Sequence, residues 1–253
     1  MSTSAHTITA YAEVSRFNVS KEGAGSTCFQ PLESSASLSR GEELKLYTVP
    51  LAPNPTRVTL YLAERRAQGA DIPVEPVVVN TLKGRHREPE HLARNSFGTL
   101  PVLELDSGAY VTESLSIIDY FEAAFPAACL LPSDPEPLAY ARNIERTLEM
   151  RVTHDLAAWV HATKSPLGYE ANAEHAAELV ARMQPGFDYA ETLLGDGRTF
   201  LTGSAPSIAD CTLAAFFQFM RYTGLDLIAE REQLCRWDTG YRFRPEVEDC
   251  FLM

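Results

Sequence analysis

The sequence predicts a small α/β domain followed by an all-helical one. Three observations carry that expectation. Residues 44–126 follow the order strand–helix–strand, then strand–strand–helix. The segment "SDPEP" at 133–137 has the composition of a linker. Apolar residues beyond it recur at helical spacing over 133–253. A chain of 253 residues, 45% of them hydrophobic, is long enough to build a substantial core.

Residues 1–43 are rich in Ser, Thr and Gly, lack apolar periodicity and read as a poorly packed extension. They lack the apolar run of a secretory signal, and Glu13, Glu22 and Glu33 fit an organellar transit peptide poorly. Leu44 to Val49 reads as a strand. Asn54 suits a helix N-cap, with Pro55 at the first helical position, where its missing N–H costs nothing. Val58, Tyr61, Leu62 and Arg65 then share a helical face up to a stop at Gly69. Val77, Val78 and Val79 predict a second, buried strand parallel to the first. A polar loop, "TLKGRHREPEHLARNSFG", leads into two strands joined at Ser107-Gly108. A helix through Leu115, Ile118, Phe121 and Phe125 stops at Pro126. In the second half, helices are expected over 138–163, 173–183, 187–194 and 207–222, with Pro185-Gly186 breaking or kinking the chain between the second and the third. The last opens on "SIAD", where Ser207 and Asp210 have capping-box spacing.

Composition excludes several function classes. No apolar run is long enough to span a bilayer, and a net charge of -12 disfavours nucleic acid and anionic lipid surfaces. Five scattered cysteines without C-x-x-C spacing argue against a disulfide framework or a zinc site and favour a reducing compartment, by default the cytoplasm. Metal-ligand spacing, nucleotide-type Gly-rich loops and a Ser/His/Asp signature are all missing.

The candidate chemistry lies in the first half. A strand-to-helix turn, "TVPLAPNPTRV", can hold an anion against the helix N-terminus. Leu100-Pro101 opens a strand. If its peptide bond is cis, the Leu100 backbone faces an extended peptide-like ligand; otherwise Pro101 is an ordinary edge-strand proline. Glu113 and Ser114 open a helix, where they either cap it or bind the carboxylate and ammonium of a ligand. His86 and Arg87 sit in a basic stretch that is either an anion clamp or a solvated loop. Together these sites suit a short zwitterionic peptide gripped at both ends.

"GRHREPEHLARNSFGTLPVLEL", "TESLSIIDYFE" and "SIAD", in this order and spacing, resemble the cytosolic glutathione transferases over nearly all of residues 44–230. The resemblance implies a thioredoxin-like N-terminal domain at 44–126, a helical C-terminal domain at 133–253 and a homodimer. It implies glutathione as co-substrate, no metal, and a small-molecule electrophile as the other partner. Pro101 matches the family's cis-proline. Leu100 matches the residue whose backbone pairs with the cysteinyl part of glutathione, Glu113 and Ser114 match the pair at the γ-glutamyl end, and "GRHR" resembles the loop facing the glycyl carboxylate. Thr99 falls where that group often has Gln. The electrophile is expected between the domains, where Arg151, His154 and Trp159 are candidates for binding it or for packing. His154 precedes Asp155, but neighbours on a helix diverge, which argues against an acid/base pair.

One position departs from the family. Five residues before Arg57, where related classes place Ser or Cys, stands Ala52. A thiol with a pKa near about 8.5 is mostly protonated at neutral pH, and alanine cannot donate a hydrogen bond to its sulfur. "APNPTRV" resembles turns of nu-class and fungal transferases in which an Asn contacts the sulfur, so Asn54 is the candidate activating residue, as well as a candidate cap. Hydroxyls of Tyr47, Thr48 or Thr56 are alternatives. The expected activity is attack of the glutathione thiolate on an electrophilic carbon, or exchange at a disulfide or peroxide. The other reading is a non-catalytic ligand-binding protein that keeps the fold.

Overall fold

β1 (Leu44–Thr48) pairs in parallel with β2 (Val74–Val78), and α1 (Pro53–Ala67) makes the crossover between them. β3 (Val102–Glu104) runs antiparallel to β1, and β4 (Tyr110–Val111) antiparallel to β3, giving the sheet order β2-β1-β3-β4. The computed structural model describes residues 44–251, within the unit Gly41–Met253. The extension expected at 1–43 lies outside the described residues. Leu44 and Leu46 face a large core shared with Val58 and Tyr61 of α1 and with Ile118 and Phe121 of α3 (Ser114–Ala124). Tyr47 turns to a smaller cluster with Val79 and Val102.

The helical half begins with α4 (Pro135–Leu148), a π-helical turn (Glu149–Thr153) and α5 (His154–Lys164) in one run. α6 (Ala173–Leu194), α7 (Ile208–Tyr222) and α8 (Glu232–Arg242) follow. α7 is buried along nearly its whole length and packs against both α1 and α4. Asp210 explains its placement. Its carboxylate accepts the Ser207 N–H at 2.9 Å and hydroxyl at 2.7 Å, the Leu201 N–H at 2.9 Å and the Trp237 indole N–H at 2.9 Å. The capping box read in "SIAD" therefore also pins α8 and the preceding loop to the start of α7.

Several local expectations differ from the structure, each for a physical reason. β2 is an edge strand with Val78 64% exposed, not a buried one. Pro76 within it lacks an N–H and is tolerated because only one side of the strand is paired. α1 starts at Pro53 with Ala52 as N-cap, so Asn54 lies inside the first turn, where N–H groups have no intrahelical acceptor and two prolines are accommodated. The polar loop contains a short helix, α2 (Pro89–Arg94), and the second half of "SDPEP" opens α4, each with proline in the first turn. α6 runs through Pro185 without a break.

Candidate functional site

The topology brings four separate segments to the C-terminal end of β1. β3 enters beside it, with Val102 paired to Tyr47, so Leu100-Pro101 lies next to the β1–α1 turn. β4 leaves beside β3, with Val111 paired to Leu103, and delivers Glu113 and Ser114 to the same end. Gly98 settles the fourth segment. A Cβ there would lie 2.9 Å from the His86 carbonyl oxygen, so only glycine lets the loop before Leu100 rest on the turn holding His86 and Arg87.

The β1–α1 turn offers few but concentrated donors. Pro53 and Pro55 have no N–H, and the Thr56 N–H is taken by the Ala52 carbonyl at 3.0 Å. Among the described residues this leaves the N–H groups of Ala52 and Asn54, together with the exposed Asn54 side chain, without partners. Leu51, just before them, has φ +73°, a left-handed conformation that costs a non-glycine residue about 1–2 kcal/mol. The alternative hydroxyl at Tyr47 is committed elsewhere: it donates to Glu104 at 2.6 Å, and burial together with that bond pushes its pKa up to about 12.

At the start of α3, Glu113 is exposed and makes no capping bond, and the first N–H to find an intrahelical acceptor is that of Ile117, at 2.9 Å from the Glu113 carbonyl. The N–H groups ahead of it are open to an anion. Ser114 is buried, and its Oγ accepts from Arg57 Nη1 at 3.1 Å. The same nitrogen lies 3.1 Å from Glu149 Oε1, and the guanidinium sits over the Phe216 ring. Arg57 thus ties α1, α3, the π turn and α7 together. Its signal in the sequence is a single cation inside the apolar run "PTRVTLYL", a residue type that is rarely buried without a charged partner.

The Leu100-Pro101 bond is cis, and the Leu100 N–H and C=O have no partner among the described residues. Thr99 is occupied: its carbonyl accepts from His91 and from Asn95, each at 3.1 Å, and its hydroxyl from Asn95 at 2.8 Å. Arg87 Nε donates to His86 Nε2 at 3.3 Å, and partial burial with the Arg87 charge lowers the pKa of His86, leaving a neutral acceptor beside an exposed guanidinium.

The three electrophile candidates do not share a face. Trp159 is 3% exposed in the helical core, whereas Arg151 and His154 are exposed to solvent. The π turn, which contains Arg151 and ends just before His154, shifts the helical register, which simple spacing misses. His154 Nδ1 does lie 3.3 Å from Asp155, but that carboxylate is already gripped by Arg182, which holds its pKa below the usual range. Beside the β1–α1 turn there is instead a cleft of about 740 Å³. Leu51, Tyr222, Phe243 and Phe251 line it, with Arg221 and Arg242. None of these side chains carries a signal in the sequence, because they come from the β1–α1 turn, the C-terminal ends of α7 and α8 and the segment after α8, which only the fold brings together.

The family model for the glutathione S-transferase N-terminal domain matches residues 46–132, and that for the C-terminal domain matches residues 173–243. The chain belongs to the glutathione S-transferase family. This glutathione S-transferase family member is 30% identical to glutathione S-transferase 2 of Saccharomyces cerevisiae over 216 residues, 82% of this chain and 91% of that one. It is 33% identical to a maleylacetoacetate isomerase of Pseudomonas aeruginosa over 179 residues, 67% of this chain and 78% of that one. The crystal structure of Gtt2 from Saccharomyces cerevisiae superposes with a TM-score of 0.71 at 29% identity, covering 82% of this chain and 100% of that one.

Proposed function

We propose that the chain binds glutathione at the end of β1 and uses its thiolate to attack an electrophilic small molecule. The observation that carries this reading is the set of uncommitted groups gathered there: the Leu100 backbone, the open N-terminus of α3 beside Ser114, and the donors of Ala52 and Asn54. The γ-glutamyl carboxylate meets the α3 N-terminus and Ser114, with Glu113 beside the ammonium. The cysteinyl backbone pairs with Leu100, and the glycyl carboxylate faces His86 and Arg87. The sulfur lies at Asn54. One hydrogen bond to a charged acceptor contributes about 1.5–3 kcal/mol, or roughly one to two pKa units, enough to make the thiolate a major species near neutral pH. The thiolate then forms a C–S bond at an electrophilic carbon as a leaving group departs with its bonding pair, or attacks one sulfur of a disulfide and releases the other as thiolate, or attacks one oxygen of a peroxide and releases the other as hydroxide or alkoxide, with solvent supplying the proton.

The same reading includes a homodimer and a reducing compartment, the cytoplasm. Phe97, 83% exposed in the loop before Leu100, supports the first, and the free Cys129, Cys211, Cys235 and Cys250 support the second. The direct test is the ultraviolet absorbance of bound glutathione thiolate against pH. The expected pKa lies at least about one unit below that of free glutathione, and Asn54→Ala removes most of the difference. Bound glutathione that titrates like the free tripeptide would overturn the activated-thiol reading.

Ala52 favours a second reading, a binding protein without catalysis. Ala52→Ser in the same titration separates the two. A large fall in thiol pKa with new conjugating activity supports the binding protein, whereas no gain supports a site built around Asn54.

A further inference from the structure

The face of the sheet away from α1 and α3 carries an open groove of about 640 Å³. Side chains alternate along a strand, so Leu44 and Leu46 take the core side and Lys45 and Tyr47 take this one. Val77 and Val79 line it beside Tyr47, and α2 contributes His91 and Arg94. None of the residues assigned to glutathione lines it. Most of its charges are already matched. Arg85 reaches both oxygens of Glu88, at 2.9 and 3.0 Å, and Arg94 pairs with Glu90 while lying 4.2 Å over the Tyr47 ring. Lys45, Lys83 and Glu75 also line the groove and have no ion-pair partner among the described residues. Positive and negative charge therefore nearly balance, and selectivity has to come from particular hydrogen-bonding atoms. His91 supplies the decisive one. It is 2% exposed, and its Nε2 lies 3.1 Å from the Thr99 carbonyl, which can only accept, so Nε2 carries the proton. Nδ1 is then a bare lone pair, buried and without a hydrogen-bond partner. A buried acceptor left unmatched favours a ligand that brings a donor to it. The ammonium groups of Lys45 and Lys83 have only donors and need acceptor oxygens.

We propose that this groove binds inorganic phosphate in its hydrogen phosphate form. The P–O–H group donates to His91 Nδ1, and the unprotonated oxygens accept from Lys45 and Lys83. Few anions both donate and accept at one centre. Sulfate has the same shape and carries no proton at neutral pH. A phosphate monoester loses its last proton near about pH 6, whereas hydrogen phosphate keeps one far above neutrality. The free ion, and not a phosphorylated metabolite, is therefore the ligand that matches the bare Nδ1. The site does not depend on the transferase reading, since it shares no residue with the glutathione site.

The test is calorimetric titration of the full chain with phosphate, sulfate and phenyl phosphate, each with and without glutathione, at about pH 8.5, where the proton in the bond must be the anion's own. Phosphate is expected to bind at least about tenfold tighter than either of the others, whether or not glutathione is present. His91→Gln keeps an N–H for the Thr99 carbonyl and has no counterpart of Nδ1. It brings phosphate within about twofold of sulfate and leaves sulfate unchanged. Lys45→Gln and Lys83→Gln each weaken both ions about three- to tenfold. Glu75→Gln strengthens both about two- to threefold, a gain that misfolding cannot produce. Equal affinities for phosphate and sulfate in the wild-type protein, or a phosphate preference that survives His91→Gln, overturn the assignment. Phenyl phosphate binding as tightly as phosphate overturns the free ion as the ligand. Phosphate displaced by glutathione moves the anion to the tripeptide's site and overturns the groove.

Discussion

Arg57 stands between two carboxyl groups of the helical half, Glu149 in direct contact and Glu145 further in, and the two behave differently. Glu149 keeps a charge-assisted bond to the guanidinium and a second one to Arg146. Glu145 is 1% exposed, accepts a long 3.5 Å bond from the Thr212 hydroxyl and has one oxygen with no hydrogen-bond partner. Burial pushes its pKa from 4.5 up to about 7; Arg57, Arg146 and Arg142 oppose that shift and the Glu149 charge adds to it. A carboxyl that holds its proton more tightly in the folded chain stabilises the fold below its unfolded pKa and loses that contribution as pH rises through the folded one. The window here runs from 4.5 to about 7, and the loss is ~3 kcal/mol. Chemical denaturation of the wild-type protein and of Glu145→Gln at about pH 5 and about pH 8 measures it. The wild-type protein is expected to lose that stability across the interval, and the Gln variant to lose about 3 kcal/mol less. Identical pH dependence in the two would show that the proton sits on another group. Because Arg57 also holds Ser114, ionisation of Glu145 bears directly on the site to which the γ-glutamyl end is assigned.

The junction of α6 with the π turn shows what local rules can and cannot read. A Cβ on Gly186 would lie 2.6 Å from Val152 Cγ2 and 2.9 Å from the Arg151 carbonyl oxygen, so the two segments approach as closely as backbones allow. Gly186→Ala gains helix propensity of about 1 kcal/mol but meets a backbone oxygen that cannot move aside, and overpacking costs about 1–3 kcal/mol or more. The clash wins. The melting temperature is expected to fall by roughly 2–8 °C, and Val152→Ala on the same chain to restore part of it. An unchanged or higher melting temperature would mean that α6 can slide away from the π turn. In the sequence, Pro185-Gly186 reads as a break or a kink, since the pair is a local helix breaker, whereas the burial that carries α6 across it is tertiary. "SIAD" was legible because a capping box is closed within four residues. The same contrast holds at the site. The motifs around Leu100-Pro101 and Glu113-Ser114 are short and contiguous, so they could be read in order. Arg57 on Ser114, the π turn at Arg151 packed on Gly186, and the cleft that joins Leu51 to Arg242 depend on segments far apart in the chain.

At the scale of the whole molecule, the question is how two chains would meet. Sheet extension is blocked at both ends: β2 carries Pro76 and Glu75 on its open edge, and β4 is only two residues long. A net charge of -12 on each chain also opposes association, and that repulsion weakens as salt screens it. An interface must therefore rest on apolar side chains. Phe97 is the most exposed large hydrophobic residue described, and the loop beneath it is held by Gly98 against His86 and by Asn95, whose carboxamide oxygen accepts the Phe97 N–H at 3.1 Å. A rigidly mounted, exposed phenyl ring is the form of an anchor that fills a partner's pocket. Sedimentation equilibrium is expected to give twice the 28.0 kDa chain mass for the wild-type protein, with tighter association at higher salt. Phe97→Asp is expected to give a single chain mass with an unchanged melting profile at high dilution. A Phe97→Asp protein that remains dimeric would move the interface elsewhere, and a wild-type protein that sediments as one chain would remove it. Phe97 lies three residues from Leu100 in the same loop. A monomer with weakened glutathione affinity would therefore show that the partner chain helps to hold the backbone to which the cysteinyl group is assigned.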